Sequence, residues 1–209
     1  MDLFVYVVTH DEGFAPNPFH GYCTLATCKP RIRQGAEIGD WVVGLGSTQN
    51  GQAGKLIYAM NVEEAMSFDD YWNDPRFQKK KPKQTSSQES QCGDNIYRSD
   101  PQSGEWIQAH SYHSMGNGCA DRDHVKRDTN PPRALISRRF VYYGKGAIDI
   151  PNHILFHDKP DRFIGIRGHR RNFPATLENS IVEWLEDLVQ SPGIHDTPTH
   201  WDTNNKPSC

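Results

Sequence analysis

The chain has 209 residues, a formal net charge of −3 and 35% hydrophobic residues. That is room for one domain with much loop and surface, and the weak negative charge excludes a general attraction to nucleic acid, so any basic footprint is local. The five cysteines (Cys23, Cys28, Cys92, Cys119 and Cys209) are odd in number and irregular in spacing, which argues against a disulfide framework.

Leu3 to Val8 is apolar throughout and predicts a central strand buried on both faces. It runs into a loop from Thr9 to Tyr22 that carries Phe14, Asn17, Phe19 and Tyr22 around Pro16 and Pro18, with His10, Asp11 and His20. Prolines fix φ and push their neighbours to extended conformations, so the aromatic rings are held on a stiff segment. They either fold onto the core or form the wall of a pocket. Cys23 to Gln34 reads as a short strand or helix interrupted at Pro30. The spacing of Cys23 and Cys28 matches no zinc signature. Small buried cysteines are the favoured reading there, with a reactive thiol at either position as the alternative.

Gly35 to Met66 predicts a β-hairpin. Gly39-Asp40 is a turn dipeptide, Trp41 to Leu45 an apolar strand, Ser47 to Gly54 a polar loop and Leu56 to Val62 the returning strand. From Glu63 to Phe77 the chain is acidic and aromatic, with Trp72 and Asp74, and a helical turn capped by Ser67 is expected before Asp74-Pro75. Lys79, Lys80 and Lys81 open a basic, then Ser/Gln-rich stretch, and Gly93 to Tyr97 is a turn containing Asn95. The segment 78–132 reads as a long insertion of loops, where His110, His113, Cys119 and His124 are metal-capable without a recognisable ligand spacing.

Strand character resumes from Arg133 to Tyr143, then from Ala147 to Pro151, with Phe163 to Arg167 a further possibility. Arg167, His169, Arg170 and Arg171 make the most basic turn of the chain. Thr176 to Gln190 is the clearest helix: Thr176 is placed as its N-cap, and Leu177, Ile181, Trp184, Leu185 and Leu188 form one apolar stripe. The expected division is a domain over 1–193 and a polar tail over 194–209. Neither a membrane span nor a signal peptide is legible, so a cytoplasmic setting is expected.

Two resemblances rest on these residues. The run GFAPNPFHGYCTLATCKPRIR, followed by GDWVVG, DYWNDPRF and GDNIY, resembles the family called nucleotide modification associated domain, type two, over most of the chain. That resemblance implies an association with nucleic-acid modification systems of phages and bacteria, and no established catalytic residues. The order of elements is also similar to that of EVE and related PUA-like domains, which include readers of modified bases. Here Gly39-Asp40 and Ser47 stand where such domains have a Gly-Asp turn and a strand-end serine, while Thr9-His10-Asp11-Glu12 departs from their pattern. The implied fold is α+β, a PUA-like mixed β pseudo-barrel with flanking helices and a long inserted loop.

Two functions follow as expectations. The first is a module that binds a modified base or nucleotide, with Phe14, Phe19, Tyr22, Trp41 and Trp72 to stack and Asn17, Ser47, Asp74 and Asn95 to read the base edge. Lys79 to Lys81 and Arg167 to Arg171 would hold phosphates. The second is a hydrolase or transferase acting on a modified nucleotide or base, with His10, Asp11, His20 and Cys23 as the catalytic candidates. Neither reading assigns a metal or cofactor, and the expected partners are a nucleotide, a modified base or nucleic acid, with proteins of a modification system.

Overall fold

The computed structural model describes residues 1–155 and 168–201, and the chain divides into two compact units. One comprises Met1–Asp11, Ala36–Glu63 and Ser137–His200; the other comprises Glu12–Gly35, Glu64–Ile136 and Trp201–Cys209. Both mix helices with sheets, and the class is α+β.

The first unit is built on a seven-stranded sheet in the order His169–Arg170, Leu3–Val8, Trp41–Gly46, Lys55–Asn61, Phe140–Tyr142, Gly193–Ile194, with Ile148–Asp149 paired to Lys55–Asn61 off that path. Leu3–Val8 and Trp41–Gly46 run parallel from Leu3 opposite Trp41 to Val8 opposite Gly46. The predicted hairpin is present: Trp41–Gly46 pairs antiparallel with Lys55–Asn61, with a register shift between Gly44 and Leu45. Its approach is fixed by Asp40, whose carboxylate accepts from the Asp2 and Glu37 backbone N–H groups at 2.5 and 2.8 Å. Because side chains alternate along a strand, Leu3, Val5, Trp41, Val43 and Ala59 share one face. The helix Ala175–Leu188 lays Leu177, Ile181 and Leu185 on the same core. Burying each such side chain stabilises by about 1.5–3 kcal/mol.

In the second unit a three-stranded sheet has the order Cys23–Leu25, Arg133–Ser137, Glu64–Ser67, and a separate hairpin pairs Tyr97–Ser99 with Trp106–Gln108. Its core gathers Phe14, Phe19, Phe68, Tyr71, Phe77 and Tyr97. The helix Phe68–Asn73 starts as expected: the Ser67 hydroxyl accepts from the Asp70 N–H at 3.1 Å.

Several expectations are corrected. Among the described residues the large sheet is open, with His169–Arg170 and Gly193–Ile194 at its two ends, and no barrel closes. The single strand expected over Arg133 to Tyr143 is two, Arg133–Ser137 and Phe140–Tyr142. The Glu63 carboxylate accepts from the Arg138 and Arg139 N–H groups and turns the chain between them. Thr176 lies inside its helix, whose N-cap is Pro174 with no side-chain cap. The segment 78–132 carries the helices Gln88–Gln91 and Arg122–Asp128 and the second hairpin. Part of the expected polar tail is tied down: the Thr199 N–H and hydroxyl both donate to Asp11 Oδ2 at 2.9 Å. Phe163 to Arg167 lies outside the described residues.

Candidate active site

Cys23 to Gly35 folds as a strand, a turn and a helix. Cys23–Leu25 is the strand, Pro30–Gly35 the helix, and Pro30 suits a first helical position because its missing N–H has no partner there to lose. Between them Cys28 and Lys29 have φ of 55° and 40°. Consecutive left-handed non-glycine residues cost on the order of 1–3 kcal/mol each and persist only where surroundings hold them. Here the holding group is buried Arg33. Its Nε donates to the Cys28 carbonyl at 2.8 Å, Nη2 to the Asp128 carbonyl at 2.6 Å, and Nη1 to the Pro131 and Arg133 carbonyls at 2.7 and 2.9 Å. One guanidinium thus joins the turn bearing Cys28 to the chain around Asp128.

Asp128 ends the helix Arg122–Asp128, which Asp121 opens by accepting from the Asp123 and His124 N–H groups. A carboxylate is poorly placed at the negative end of a helix, so a buried one there needs partners. Asp128 has four. Oδ1 accepts from the Cys28 N–H and Arg127 Nε, both at 3.1 Å; Oδ2 accepts from the Tyr97 hydroxyl at 3.0 Å and contacts His113 Nδ1 at 2.6 Å.

His113 completes the arrangement. Its Nε2 lies 3.4 Å from Cys28 Sγ. An ionised carboxylate only accepts, so the 2.6 Å contact requires the proton on Nδ1 and leaves the Nε2 lone pair facing the thiol. The His113 carbonyl is held by Gln108 Nε2 at 3.0 Å and His124 Nδ1 at 2.9 Å, and the Gln108 amide also donates to the Tyr97 hydroxyl at 3.0 Å. The Phe14 ring packs edge-on against the imidazole, centroids 4.7 Å apart. Cys28, His113 and Asp128 therefore stand in the geometry of a thiol nucleophile, its base and the group that orients the base.

The charges suit a neutral resting pair. Burial pushes the Cys28 thiol up to about 11, the Asp128 charge adds to it, and Arg127, Lys29 and Arg33 oppose it. Burial likewise lowers His113 against the pull of Asp128. Burial works against the charge on Asp128, but the hydrogen bonds and charges of His113 and Arg127 outweigh it and hold the carboxyl at about 2. An ionised Asp128 can stabilise a protonated His113.

A family model described as "Nucleotide modification associated domain 2" matches residues 1–205. The chain belongs to this family. Neither a curated protein nor a solved structure matches it.

The candidate residues read from the sequence lie in several places. In the first unit, Trp41 is fully buried in the core and Ser47 caps the turn Thr48–Asn50, so neither offers a free edge or face to a base. His10 is exposed, whereas Asp11 is buried, accepting from the Tyr142 hydroxyl and from Thr199. His169 pairs in the sheet, Arg170 covers the Phe173 ring, Arg171 is exposed, and Arg167 lies outside the described residues. In the second unit, Phe14 reaches the site through His113. Asn17 is buried and bonded to the Gly13 and Cys92 carbonyls; Phe19 stacks on Trp201; Tyr22 packs against Phe77. Asp74 and Asn95 serve their own neighbourhood, Asp74 capping Pro75–Lys80 and Asn95 donating to the Tyr71 and Phe77 carbonyls.

Two of the candidates are corrected by their surroundings. Cys23 is fully buried and burial drives its thiol far above the ordinary range, while His20 pairs with Glu89 at 3.4 Å; the thiol facing an imidazole is Cys28. Lys80 is no phosphate contact. Its buried ammonium donates to the Asn17 carbonyl, Asn17 Oδ1 and the Tyr22 carbonyl at 3.0, 2.6 and 2.9 Å. Lys79 is exposed, and Lys81 lies over the Trp72 ring at 3.9 Å. Of the metal-capable set, His113 and His124 come together, with centroids 4.3 Å apart, and no group of three or more such side chains converges among the described residues.

Asp128 and Arg33 were missed. A lone Asp ending a short helix and one Arg among several carry no spacing signal, since their partners lie far away in sequence.

Proposed function

We propose that this member of the nucleotide modification associated family is a thiol-dependent hydrolase or transferase that acts on an acyl carbon of a modified nucleotide or base. The observation that carries the reading is Cys28 Sγ 3.4 Å from His113 Nε2, with His113 Nδ1 2.6 Å from Asp128. The left-handed backbone at Cys28 supports it, because strain of this kind concentrates at functional sites.

Cys28 Sγ forms a bond to the acyl carbon as its proton passes to His113 Nε2, and the carbonyl π pair moves to oxygen. The carbonyl re-forms, the C–N or C–O bond to the leaving group breaks, and the leaving atom takes the proton from His113. Water or an acceptor amine or hydroxyl then repeats the sequence on the thioester, giving its proton to His113 and regenerating the thiol. Asp128 stabilises the imidazolium in both halves, and Arg33 is a positioning residue for the Cys28 turn.

A second reading, binding of a modified base or nucleic acid without chemistry, is favoured by one observation. Trp72 is half-buried with Lys81 at 3.9 Å and Arg98 at 5.7 Å from its ring, an aromatic side chain beside two cations that suits a phosphate-bearing ligand. The PUA-like reading of the fold belongs with it and is supported by the Gly39-Asp40 turn and the hairpin that follows. The association with phage or bacterial modification systems is common to both readings.

The test is incubation with a panel of N- and O-acylated nucleosides and nucleotides, read by mass spectrometry and by thermal shift. Conversion by the wild type that disappears in Cys28→Ala supports the enzyme. A thermal shift without conversion, retained in Cys28→Ala and lost in Trp72→Ala, supports the binding module instead.

A further inference from the structure

The charges around the Cys28 thiol are unequal in sign. Asp128 is the carboxylate acting on it, while Arg127, Lys29 and Arg33 act as cations. Arg33 is buried and bonded to four carbonyls. Arg127 is different. Its Nε holds Asp128 Oδ1 at 3.1 Å and its Nη2 lies 3.4 Å from His113 Nδ1, yet its side chain is 42% exposed. A guanidinium in that position has one edge on the triad and solvent on the other. Its planar fork suits a carboxylate or phosphate oxygen pair. The solvent-facing part of this guanidinium, close to the thiol's base, favours an anion beside the site.

We propose that the substrate carries an anionic group next to the carbon that Cys28 attacks, and that Arg127 selects for it. This rests on the reading of Cys28 as the nucleophile. It deepens that reading by narrowing the substrates to anionic ones, a phosphate-bearing nucleotide or an acyl group with a neighbouring carboxylate. Arg127 is then a specificity residue in addition to a partner of Asp128.

The test needs no substrate. Iodoacetate and iodoacetamide alkylate a thiol by the same displacement: the S–C bond forms, iodide leaves with the C–I pair, and the thiol proton goes to base. They differ in that iodoacetate carries a carboxylate beside the attacked carbon. Rates at Cys28 are read by peptide mass spectrometry on the full chain, with exposed Cys119 as internal reference. The iodoacetate-to-iodoacetamide ratio at Cys28 is expected to exceed that at Cys119 by roughly fivefold, the effect of one nearby charge at an exposed site. Added salt should lower it. Arg127→Gln should bring it to the Cys119 value, and Arg127→Lys should retain most of it.

A purely structural Arg127 would change both rates together and leave the ratio alone, and that result overturns the proposal. So does a wild-type ratio equal to that of Cys119, which requires no variant to fold. Protection against iodoacetate by inorganic phosphate at lower concentration than by acetate assigns the phosphate-bearing class, and the reverse order assigns the carboxylate class. Protection by neither contradicts the anion site. Failure of the nucleophile reading looks different: the iodoacetamide rate at Cys28 would then be indifferent to His113→Ala, whatever the ratio.

Discussion

The fully buried carboxylate of Asp128 accepts a hydrogen bond from His113 Nδ1 at 2.6 Å, and this contact decides which nitrogen of the imidazole faces Cys28. Removing the charge while keeping the shape should damage both stability and chemistry. Asp128→Asn is expected to destabilise the fold by about 3 kcal/mol, because Arg127 loses its counter-charge and His113 its ionised acceptor. Acidification should narrow the difference from wild type. A carboxyl held at about 2 in the folded chain and near 4 in the unfolded one contributes stability that is complete above pH 4 and is lost as pH falls through about 2. About half of that contribution is gone by pH 3. Urea unfolding of the two proteins at pH 6 and pH 3 checks this, and an equal gap at both values would show that the charge is not what stabilises.

Lys80 and Lys79 are neighbours in sequence with opposite fates. Lys80→Met removes a buried ammonium and takes its donor from Asn17 Oδ1 and from the Tyr22 carbonyl. It should cost on the order of 3 kcal/mol. Exposed Lys79→Met should stay within about 0.5 kcal/mol of wild type. The pair of urea midpoints decides it, and equal midpoints for the two variants would contradict a structural Lys80.

Gly44 is a tight point of the predicted hairpin. A Cβ there would stand 2.3 Å from Tyr58 Cε1 and 2.7 Å from Val8 Cγ2, with both neighbours buried in strands. Gly44→Ala should destabilise by about 2 kcal/mol through overpacking. Calorimetry of the variant gives the number, and an unchanged midpoint would mean that Tyr58 moves aside at no cost.

Local signals were legible where they act over a few residues. The apolar strand Leu3–Val8, the Gly39-Asp40 turn, the hairpin after it, the Ser67 cap and the stripe Leu177, Ile181, Leu185 all follow from period, turn chemistry and capping. What failed was long-range. Nothing around Arg138 announces that Glu63 turns the chain there. Nothing in the spacing of Cys28, His113 and Asp128 brings them together; the sequence puts His20 beside Cys23, and proximity in sequence made that the more visible thiol–imidazole pair. Burial separated the two cysteines: it makes Cys23 part of the core, while the left-handed turn presents Cys28 to His113.

The most direct test of the account is the pH dependence of Cys28 alkylation by neutral iodoacetamide, in wild type and in His113→Ala. A thiol that gives its proton to His113 should react at a rate that levels off across the neutral range, where the imidazole is the base. In His113→Ala the same thiol should lose that plateau and react only as its free thiolate forms, rising about tenfold per pH unit toward the value near 11. Identical profiles for the two proteins would contradict a Cys28–His113 nucleophile pair, and with it the enzyme reading of this chain.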